Sequence, residues 1–457
     1  MTFDCIVIGG GPGGYVAAIR AAQLGLKTAL VEEKHLGGVC LNWGCIPTKS
    51  LLKSGEILDK IKHASIFGVN AESVTFDLST MVQKSRDVSA KLAGGIAHLM
   101  KKNKVTVIDG RGKLSGPNTV KVGDQTFTAK NIVLAVGARP KNLPHVTRDG
   151  DRIWNAADAM TPKVLPTRLL VIGSGAIGIE FASFYNSLGV EVVVVEVQPR
   201  ILPQEDSEIA ALAQKAFEKK GIHFMTNSTV STVKSESEGL HVEIQTPKAL
   251  QAERFSHCIL AVGIEGNVED LGLETTKVKV ERNFIDVQDY CQTHEKGIYA
   301  IGDVASPPWL AHKASHEGMM VAEHMKGLKA HSFKKADVPG CTYSSPQIAS
   351  IGLSEDKAKA LGLKVKVGRF SGAGNGKALT MGDEGAFYKV LFDEATGAFL
   401  GAHLLGSDVS EMIHSFALAL RCEATEEEFF QTIFPHPTLS EMIHEAALNA
   451  YGRAIHM

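Results

Sequence analysis

The chain has 457 residues, a length that predicts about two to four domains of ordinary size. Hydrophobic residues make up 44% of it and charged residues 21%, which is the balance of a folded protein rather than a disordered or membrane-spanning one. Lys and Arg total 48 against 50 Asp and Glu, so the formal net charge of −2 provides no general positive field to hold nucleic acid. Two counts need an explanation, the 45 glycines and the odd number of cysteines, seven.

The start of the chain and its apolar runs bear on location. Residues 1–4 lead directly into the apolar run 5–8, without the cationic and apolar regions of a signal peptide. Apolar runs such as 190–197 are far shorter than the ~20 residues of a spanning helix and predict buried parallel strands. We therefore expect a cytoplasmic protein with neither a membrane nor a nucleic-acid partner. In that reducing compartment, a disulfide is expected to be reactive rather than structural.

Two stretches of the sequence share one pattern of strand, glycine turn, helix and strand. The first copy has strands at 5–8 and 28–32, with a glycine turn at 9–14 and a helix at 15–24 between them, and its key residues are Gly9, Gly11, Gly14 and Glu32. The second copy has strands at 169–172 and 190–195, and its key residues are Gly173, Gly175, Gly178 and Glu196. The acidic residue follows the third glycine by 18 residues in both copies. The chain is therefore predicted to contain two βαβ units with the G-x-G-x-x-G fingerprint.

This fingerprint is typical of dinucleotide binding. Its glycines permit a tight turn, a close approach of the backbone to a pyrophosphate and close packing of helix on strand, while the acid accepts hydrogen bonds from ribose hydroxyls. The alternative, a glycine turn used only for packing, is disfavoured by the repetition. Glu196 favours NAD over NADP because a carboxylate repels a 2′-phosphate. Arg200 argues the other way, and we interpret it as a solvated turn residue.

Cys40 and Cys45 form a pair separated by four residues. Residues five apart in a regular helix rise ~7.5 Å, whereas a disulfide needs Cα atoms within ~7 Å, so a bridge requires a distorted turn that Gly44 and Pro47 would help to form. A strained disulfide in a reducing compartment is of the catalytic kind. Two buried free thiols are the open alternative. A metal site is disfavoured because no second Cys or His pair lies nearby at ligand spacing.

The segment 37–49 resembles the redox-active disulfide segment of the class I, flavin-dependent pyridine nucleotide–disulfide oxidoreductases, and most of all that of the dihydrolipoamide dehydrogenases. The resemblance covers nearly the whole chain. Residues 293–303 resemble the family's second FAD motif, which implies that Asp303 contacts the flavin ribitol. It further implies that a helix beginning near Ala311 passes the isoalloxazine ring and that Lys49 pairs with Glu180 beside flavin N5. The cofactors implied are FAD and NAD.

Residues 434–441, near the C-terminus, resemble the family's His–Glu dyad, with His436 and Glu441 in the matching positions. Prolines on both sides of the histidine restrict the backbone and hold the direction of the imidazole. A base is needed because thiols attack as thiolates, and a carboxylate on the other ring nitrogen stabilises the imidazolium. Taken alone, His436 has a structural histidine as its alternative interpretation. No metal site is expected.

The resemblance implies an enzyme that oxidises protein-bound dihydrolipoamide to lipoamide and passes the electrons through FAD to NAD. His436 would deprotonate the substrate, Cys40 would be attacked, and Cys45 would donate toward the flavin. A homodimer with composite sites is also implied, served by lipoyl-bearing proteins of 2-oxoacid dehydrogenase or glycine-cleavage complexes. The alternatives are another FAD-dependent disulfide reductase of the glutathione reductase type, and a non-catalytic nucleotide-binding redox sensor.

The motifs also divide the chain into parts. We predict an α/β fold with two Rossmann-like dinucleotide-binding domains and a C-terminal α+β dimerisation domain. Gly137 and Gly263 end the closing strands of the two nucleotide domains and are expected at the cofactors. Residues 264–266 depart from the Arg-x-Pro that the family often has there. The predicted domains are FAD-binding at 1–140, NAD-binding at 141–265, a central segment completing the FAD site at 266–335, and the interface at 336–457.

Overall fold

The computed structural model describes residues 1–457. The N-terminal part of the chain builds the first sheet and the helices beside it, with the following elements: β1 (Thr2–Ile8), α1 (Pro12–Gln23), β2 (Thr28–Glu32), α2 (Gly38–Trp43), α3 (Cys45–Lys62), α4 (Leu78–Lys102), β3 (Thr106–Asp109), β4 (Gly112–Leu114), β5 (Thr119–Val122) and β6 (Gln125–Leu134). The strand order is β3-β2-β1-β6-β5-β4. β1, β2, β3 and β6 pair in parallel, as the predicted βαβ unit requires.

Helix α1 begins at Pro12, three residues before the predicted start at Tyr15. Pro12 suits the first helical position because its missing N–H has no partner there in any case. Gly13 and Gly14 then lie inside the helix, where both are buried. The glycine turn is therefore shorter than the sequence pattern indicated, and part of it belongs to the helix.

The next part of the chain builds a second sheet and a small meander from these elements: β7 (Ala138–Pro140), β8 (Ile153–Trp154), α5 (Ala156–Ala159), β9 (Arg168–Ile172), α6 (Ala176–Ser187), β10 (Glu191–Val195), α7 (Ser207–Lys219), β11 (Ile222–Met225), β12 (Thr229–Glu236), β13 (Gly239–Gln245), β14 (Leu250–Phe255), β15 (His257–Leu260) and β16 (Ile264–Gly266). The sheet is parallel with order β11-β10-β9-β15-β8, and β12-β13-β14 form the meander. β7 and β16 pair with each other and connect the two sheets.

The chain then returns to the first sheet through β17 (Val280–Glu281), β18 (Phe284–Ile285), β19 (Ile298–Ala300) and α8 (Ala311–Met325). β19 pairs in parallel with β6 and becomes the seventh strand of that sheet. α8 packs closely on α1, since a Cβ added at Gly318 would lie 2.6 Å from the carbonyl oxygen of Gly13. This return brings residues near Asp303 to the first glycine turn.

The C-terminal part forms an antiparallel sheet covered by helices, with these elements: β20 (Gly340–Thr342), β21 (Gln347–Gly352), α9 (Glu355–Ala360), β22 (Val365–Ser371), α10 (Gly376–Met381), β23 (Phe387–Asp393), β24 (Phe399–Gly406), α11 (Val409–Arg421), α12 (Glu426–Gln431) and α13 (Glu441–Asn449). The strand order is β20-β21-β24-β23-β22. α11 packs on β21 and β24, and α13 packs on β22 and β23, around a core rich in aromatic residues. Two α/β sheets followed by an α+β unit confirm the predicted fold class.

A buried ion cluster joins the second sheet's helix α7 to the C-terminal sheet. Lys389 on β23 is 1% exposed, and its ammonium lies 2.9 Å from Asp206, 3.0 Å from Glu208 and 2.8 Å from Glu355. Asp206 also caps the start of α7, where it accepts hydrogen bonds from backbone N–H groups. Although burial opposes it, Lys389 holds the pKa of Asp206 below its ordinary value. No helix of the protein combines the length and the apolar character needed to cross a membrane.

Candidate active site

The first glycine turn lies between β1 and α1, at the carboxyl end of the parallel strands. Gly9 has φ +104°, in the left-handed region that favours glycine, and a Cβ there would overlap the carbonyl oxygen of Ala135. A Cβ at Gly14 would overlap the carbonyl oxygen of Gly9. The packing of strand, turn and helix therefore requires the first and third glycines of the fingerprint.

The second glycine turn, between β9 and α6, repeats this geometry. Gly173 has φ +101°, and a Cβ there would overlap the carbonyl oxygen of Ala261. A Cβ at Gly178 would overlap the carbonyl oxygen of Gly173. The repeat in the sequence is thus a repeat in three dimensions, down to the same backbone contacts.

No contact within the protein requires glycine at the middle position of either turn. A Cβ at Gly11 would meet no atom closer than the Cα of Gly38 at 3.9 Å, and one at Gly175 would meet nothing within 4 Å. Both residues stand at the N-caps of their helices, where the first backbone N–H groups lack partners inside the helix. The space beside these N–H groups fits a pyrophosphate, which a side chain would displace.

The acidic residues that follow the second strands hold their turns in place. Glu32 accepts hydrogen bonds from the backbone N–H of Gly10 at 2.6 Å and of Lys34 at 2.8 Å. Glu196 accepts from the N–H of Ser174 at 2.8 Å, from the hydroxyl of Ser174 at 2.6 Å and from the N–H of Gln198 at 2.8 Å. Each carboxylate therefore lies beside its glycine turn, as the spacing of 18 residues predicted. A ribose hydroxyl of a nucleotide bound at the turn would be recognised there.

Arg200, the residue that argued for NADP, has other contacts. Its guanidinium donates to the carbonyl oxygens of Pro203 and Glu205, and it lies 3.4 Å from the carboxylate of Asp356. The guanidinium of Arg200 is thus hydrogen-bonded within its own turn and is not free to bind a 2′-phosphate beside Glu196. This geometry favours NAD at the second glycine turn.

Asp303 follows β19, and the return of the chain brings it toward the first glycine turn. Its carboxyl group has no hydrogen-bond partner in the protein, and burial raises its pKa against the attraction of Lys313. Lys313 itself forms a buried ion pair with Glu317 at 2.9 Å, which the sequence did not indicate. Ala311 is the first residue of α8, as expected. Together with Gly11 and Glu32, the unpartnered carboxyl group fits the FAD that the motifs predicted, with Asp303 available to a ribitol hydroxyl.

Gly137 and Gly263 stand at matching places, just after β6 and β15. Their φ angles are +68° and +104°, and a Cβ on either would meet nothing within 4 Å. The departure at residues 264–266 lies beside them as β16, and Glu265 accepts a hydrogen bond from Arg139 on β7 at 3.0 Å. The unusual Glu265 is thus an ion-pair partner within the β7–β16 link, next to the two glycines.

The cysteine pair straddles a break between two helices. α2 ends at Trp43 and α3 begins at Cys45, while Gly44 between them has φ −150° and ψ −116°, outside helical values. A Cβ at Gly44 would lie only 3.0 Å from the carbonyl oxygen of Val39. The distorted turn predicted from the spacing therefore lies at Gly44. Both cysteines are free thiols here, and each shifts the pKa of the other.

The two thiols have opposite tendencies to ionise. The neighbouring Cys40 thiol and the positive charge of Lys49 lower the pKa of Cys45, and Cys45 also occupies the first position of an 18-residue helix. The neighbouring Cys45 side chain, together with burial, raises the pKa of Cys40. In the reduced pair, Cys45 is therefore the thiol that ionises more readily.

Lys49, one turn into α3, stands at a junction of three parts of the chain. Its ammonium donates to both carboxylate oxygens of Glu180 on α6, at 3.0 and 2.9 Å, and Glu180 is 4% exposed. The ring of Tyr343, just after β20, lies 4.5 Å from the same ammonium, and its backbone N–H donates to Glu180 at 3.0 Å. The expected pair of Lys49 and Glu180 is present. Tyr343 was missed, because no local signal links residues so distant in sequence.

His436 and Glu441 form the expected hydrogen-bonded pair. Imidazole Nδ1 of His436 lies 2.9 Å from one carboxylate oxygen of Glu441. The other oxygen of Glu441 accepts a hydrogen bond from the backbone N–H of Thr438 at 2.8 Å. Although burial opposes them, these contacts hold the pKa of Glu441 below its ordinary value. The imidazole is 77% exposed, so its other nitrogen is open to a substrate.

The dyad and the cysteine pair are not brought together within one chain. Cys40 packs against the core of the first sheet, whereas the residues around His436 pack against the core of the C-terminal sheet. No hydrogen bond joins the dyad to either cysteine. The structure also contains no group of three or more His, Cys, Asp or Glu side chains placed to hold a metal ion.

Comparison with known families identifies the architecture. Residues 3–318 match the pyridine nucleotide-disulphide oxidoreductases, and residues 338–447 match the dimerisation domain of the same family. The chain belongs to this family. As a pyridine nucleotide-disulphide oxidoreductase it is an FAD-dependent enzyme acting on a sulfur group, and the predicted cofactors, FAD and NAD, are those the family uses.

The oxidoreductase is similar over its full length to curated relatives. A protein of Rhizobium etli named dihydrolipoyl dehydrogenase is 51% identical over 99% of both chains, and one of the same name from Zymomonas mobilis is 50% identical over 99% of both. Among solved structures, LpdA of Mycobacterium tuberculosis superposes with a TM-score of 0.90 at 27% identity, covering 97% of this chain and 98% of that one. The resemblance drawn from the motifs is therefore confirmed.

Proposed function

We propose that this oxidoreductase is a dihydrolipoyl dehydrogenase that oxidises protein-bound dihydrolipoamide to lipoamide and reduces NAD. The observation that carries the proposal is the Cys40–Cys45 pair on the two sides of the helix break at Gly44, where Cys40 and the charge of Lys49 lower the pKa of Cys45. A dithiol that closes to a cyclic disulfide is the substrate class that such a pair exchanges with most directly, because both partners interconvert between a dithiol and a disulfide. The full-length similarity to relatives named dihydrolipoyl dehydrogenase supports the same substrate.

The thiol steps follow from the geometry of the dyad and the pair. His436, whose Nδ1 is held by Glu441, accepts the proton of the first substrate thiol on its other nitrogen. The substrate thiolate attacks the sulfur of Cys40, so that a mixed disulfide forms, the Cys40–Cys45 bond breaks and Cys45 leaves as a thiolate. The second substrate thiol displaces Cys40, which closes the lipoamide disulfide, and its proton goes to Cys40. The products match the opposite pKa directions of the two cysteines.

FAD, when bound, supplies a carrier that accepts the electron pair of the dithiol and delivers it to NAD. Gly11, Glu32 and Asp303 would hold it, and Gly175 and Glu196 would hold NAD. Lys49 keeps a positive charge beside the Cys45 thiolate, and Glu180 with Tyr343 fixes the direction of its ammonium. These residues act by position and charge, and none of them needs to form a covalent bond.

A homodimer completes the proposed site. One chain keeps the exposed imidazole of His436 apart from Cys40, and the family's dimerisation domain covers 338–447. We propose that the partner subunit's His436 serves the cysteines of each chain, in the cytoplasm, with lipoyl-bearing proteins of 2-oxoacid dehydrogenase or glycine-cleavage complexes as substrates. We propose four domains, at 1–140, 141–265, 266–335 and 336–457. Their first two boundaries fall at β7 and β16, the two strands that connect the sheets.

Substrate choice is tested by comparing two reactions of the purified enzyme. We expect turnover with dihydrolipoamide and NAD, and little with oxidised glutathione and NADPH. Cys45→Ser is expected to abolish lipoamide turnover, while Cys422→Ser, which changes an exposed free cysteine, keeps it. Activity only with glutathione and NADPH, or an undiminished Cys45→Ser variant, contradicts the proposal.

The composite site is tested by mixing two inactive variants. Cys45→Ser and His436→Gln homodimers are each expected to be inactive, but hybrids contain one site with an intact cysteine pair and an intact dyad. Random exchange of subunits should restore about a quarter of the wild-type activity. A site built within one chain predicts no recovery after exchange.

A further inference from the structure

The turn between the two cysteines is held by a residue that the mechanism does not use. We infer that Arg86 on α4 is a positioning residue, which fixes the end of α2 and thereby keeps Cys40 close to Cys45. This inference rests on the proposed function, because it assigns Arg86 a task for the redox pair of that function. It concerns the balance between dithiol and disulfide rather than any step of electron transfer.

Arg86 contacts residues of the turn between the two cysteines. Its Nη2 donates to the carbonyl oxygen of Asn42 and, at 2.8 Å, to the hydroxyl of Ser89 on the next turn of α4. Its guanidinium carbon lies 4.6 Å from the ring centroid of Trp43. Asn42 and Trp43 are the two residues before Gly44, so Arg86 contacts the backbone of one and the side chain of the other.

Ordinary charge pairing does not explain the position of this guanidinium. Arg86 forms no ion pair with any carboxylate, and its Nε is buried without a hydrogen-bond partner. Burial lowers the pKa of the guanidinium, and no carboxylate beside it offsets this effect. Ser89, which receives one of its hydrogen bonds, is 3% exposed and fixed in turn to the carbonyl oxygen of Ser85. The guanidinium is thus attached to α4 through Ser89, and its partners outside that helix, Asn42 and Trp43, belong to the cysteine turn.

The turn needs such a contact because Gly44 interrupts the helical ladder. α2 has six residues, and the carbonyl oxygens at its end have no partners within the helix. α3 has 18 residues and is fixed by packing through buried residues such as Leu51 and Leu58. Leu41 anchors the middle of α2 in the core of the first sheet, so Arg86 fixes only the last residues of this helix. Without Arg86, the residues before Gly44 gain freedom while α3 stays in place, and the mean separation of the two sulfur atoms rises in the reduced state.

The direction of the effect follows from preorganisation. A reduced pair that is held together closes to the disulfide more readily than one that must first be brought together. Loss of Arg86 should therefore shift the equilibrium toward the dithiol by about tenfold, which corresponds to a potential about 30 mV less negative for this two-electron couple. The interaction with Cys40 that lowers the pKa of Cys45 should weaken as well, so the thiolate of Cys45 should form at higher pH.

The test measures this equilibrium in the flavin-containing enzyme, by alkylation and mass spectrometry in dithiothreitol redox buffers. We expect Arg86→Met and Trp43→Leu each to shift the constant toward the dithiol, and the double variant to shift it no further than Arg86→Met, since both act through one contact. Arg168→Met is the matched control, because Arg168 also lies over an aromatic ring, Phe255, at 4.5 Å, but within the second sheet. The control should keep the wild-type constant.

The outcomes separate the inference from the function beneath it. A folded Arg86→Met variant with the wild-type constant overturns the role of Arg86. Should Arg86→Met fail to fold, Trp43→Leu carries the test, because Trp43 is 40% exposed and its truncation leaves no cavity in the core. A wild-type pair that never forms a disulfide contradicts the proposed function itself. A shift in the control equal to that in Arg86→Met would show a general loss of stability and refute a positioning role.

Discussion

The middle and third glycines of the nucleotide turns should respond differently to replacement by alanine: the middle one should affect nucleotide binding and the third one stability. Gly175→Ala adds a methyl group where no protein atom lies within 4 Å, on an N-cap whose φ of −67° and ψ of 178° any residue adopts. Gly178→Ala adds the same methyl group onto the carbonyl oxygen of Gly173. We therefore expect the first variant to fold normally and lose NAD affinity, and the second to lose stability before binding can be measured.

The structure sets the size of each effect. For Gly175→Ala, the gain from a stiffer unfolded chain and the loss of a preferred N-cap residue are each within about 1 kcal/mol, so the free energy of unfolding changes little. The methyl group blocks at least one hydrogen bond between backbone N–H and a phosphate, which is worth about 1.5–3 kcal/mol, or about 10- to 150-fold in affinity. For Gly178→Ala, helix and strand must separate, which costs about 3 kcal/mol or more.

The assay compares the thermal unfolding midpoint without nucleotide, and NAD affinity at equal flavin content. Gly175→Ala should keep the midpoint and raise the Kd for NAD, whereas Gly178→Ala should lower the midpoint. Gly11→Ala and Gly14→Ala form the same pair at the first turn, with FAD retention as the binding measurement. If Gly175→Ala bound NAD as the wild type does, its open space would not be the phosphate site, and the argument from the glycines would be refuted.

Three further outcomes follow from charges in the structure. Lys389→Met should lower the free energy of unfolding by about 3–5 kcal/mol, because it leaves Asp206, 0% exposed, without its counterion. Because the pKa of Asp206 is lowered in the folded protein, its ionised carboxylate stabilises the wild type above the ordinary Asp pKa, and this stabilisation is lost as pH falls through the folded pKa. In urea unfolding, the difference in free energy of unfolding between wild type and variant should therefore shrink below about pH 4. Lys49→Met should raise the pKa of Cys45, which the ultraviolet absorbance of the thiolate in the reduced enzyme would report; an unchanged titration contradicts the assignment of the thiolate. Glu441→Gln should lower kcat with dihydrolipoamide by about 10²- to 10⁴-fold, while NADH oxidation by ferricyanide stays at the wild-type rate; an equal loss in both reactions would place Glu441 outside the thiol step.

Features encoded in short stretches were predictable. The strands around residues 5–8 and 169–172, both glycine turns and the acids Glu32 and Glu196 depend on contacts within one βαβ unit, so their spacing was sufficient to locate them. The break at Gly44 is equally local, since two cysteines at this separation can approach only across a distorted turn. The helix start at Pro12 was missed because Gly13 and Gly14 were assigned to the turn, and only the close approach of α8 shows why glycines lie inside the helix.

Contacts between distant parts of the chain needed other information. The pair of Lys49 and Glu180 was expected only from family resemblance, and nothing in the sequence placed Tyr343 against it, because three separate elements must first fold together. Arg86 has the same status, as it reaches the cysteine turn from a different helix. The cluster around Lys389 also joins two sheets, and a buried lysine has no signature along a strand.

The sequence by itself determined the two nucleotide turns, because each is a short motif whose chemistry requires particular residues at fixed spacing. It also supplied the cysteine pair and the pair of His436 and Glu441, whose catalytic roles were expected from family resemblance. The tertiary structure decided which cysteine ionises more readily, since that depends on the interaction of the two thiols across a helix break and on the charge of Lys49. It also decided that His436 and the cysteines lie apart within one chain. Electrostatic fields and packing act through space, so their outcome depends on distances that exist only after the chain has folded.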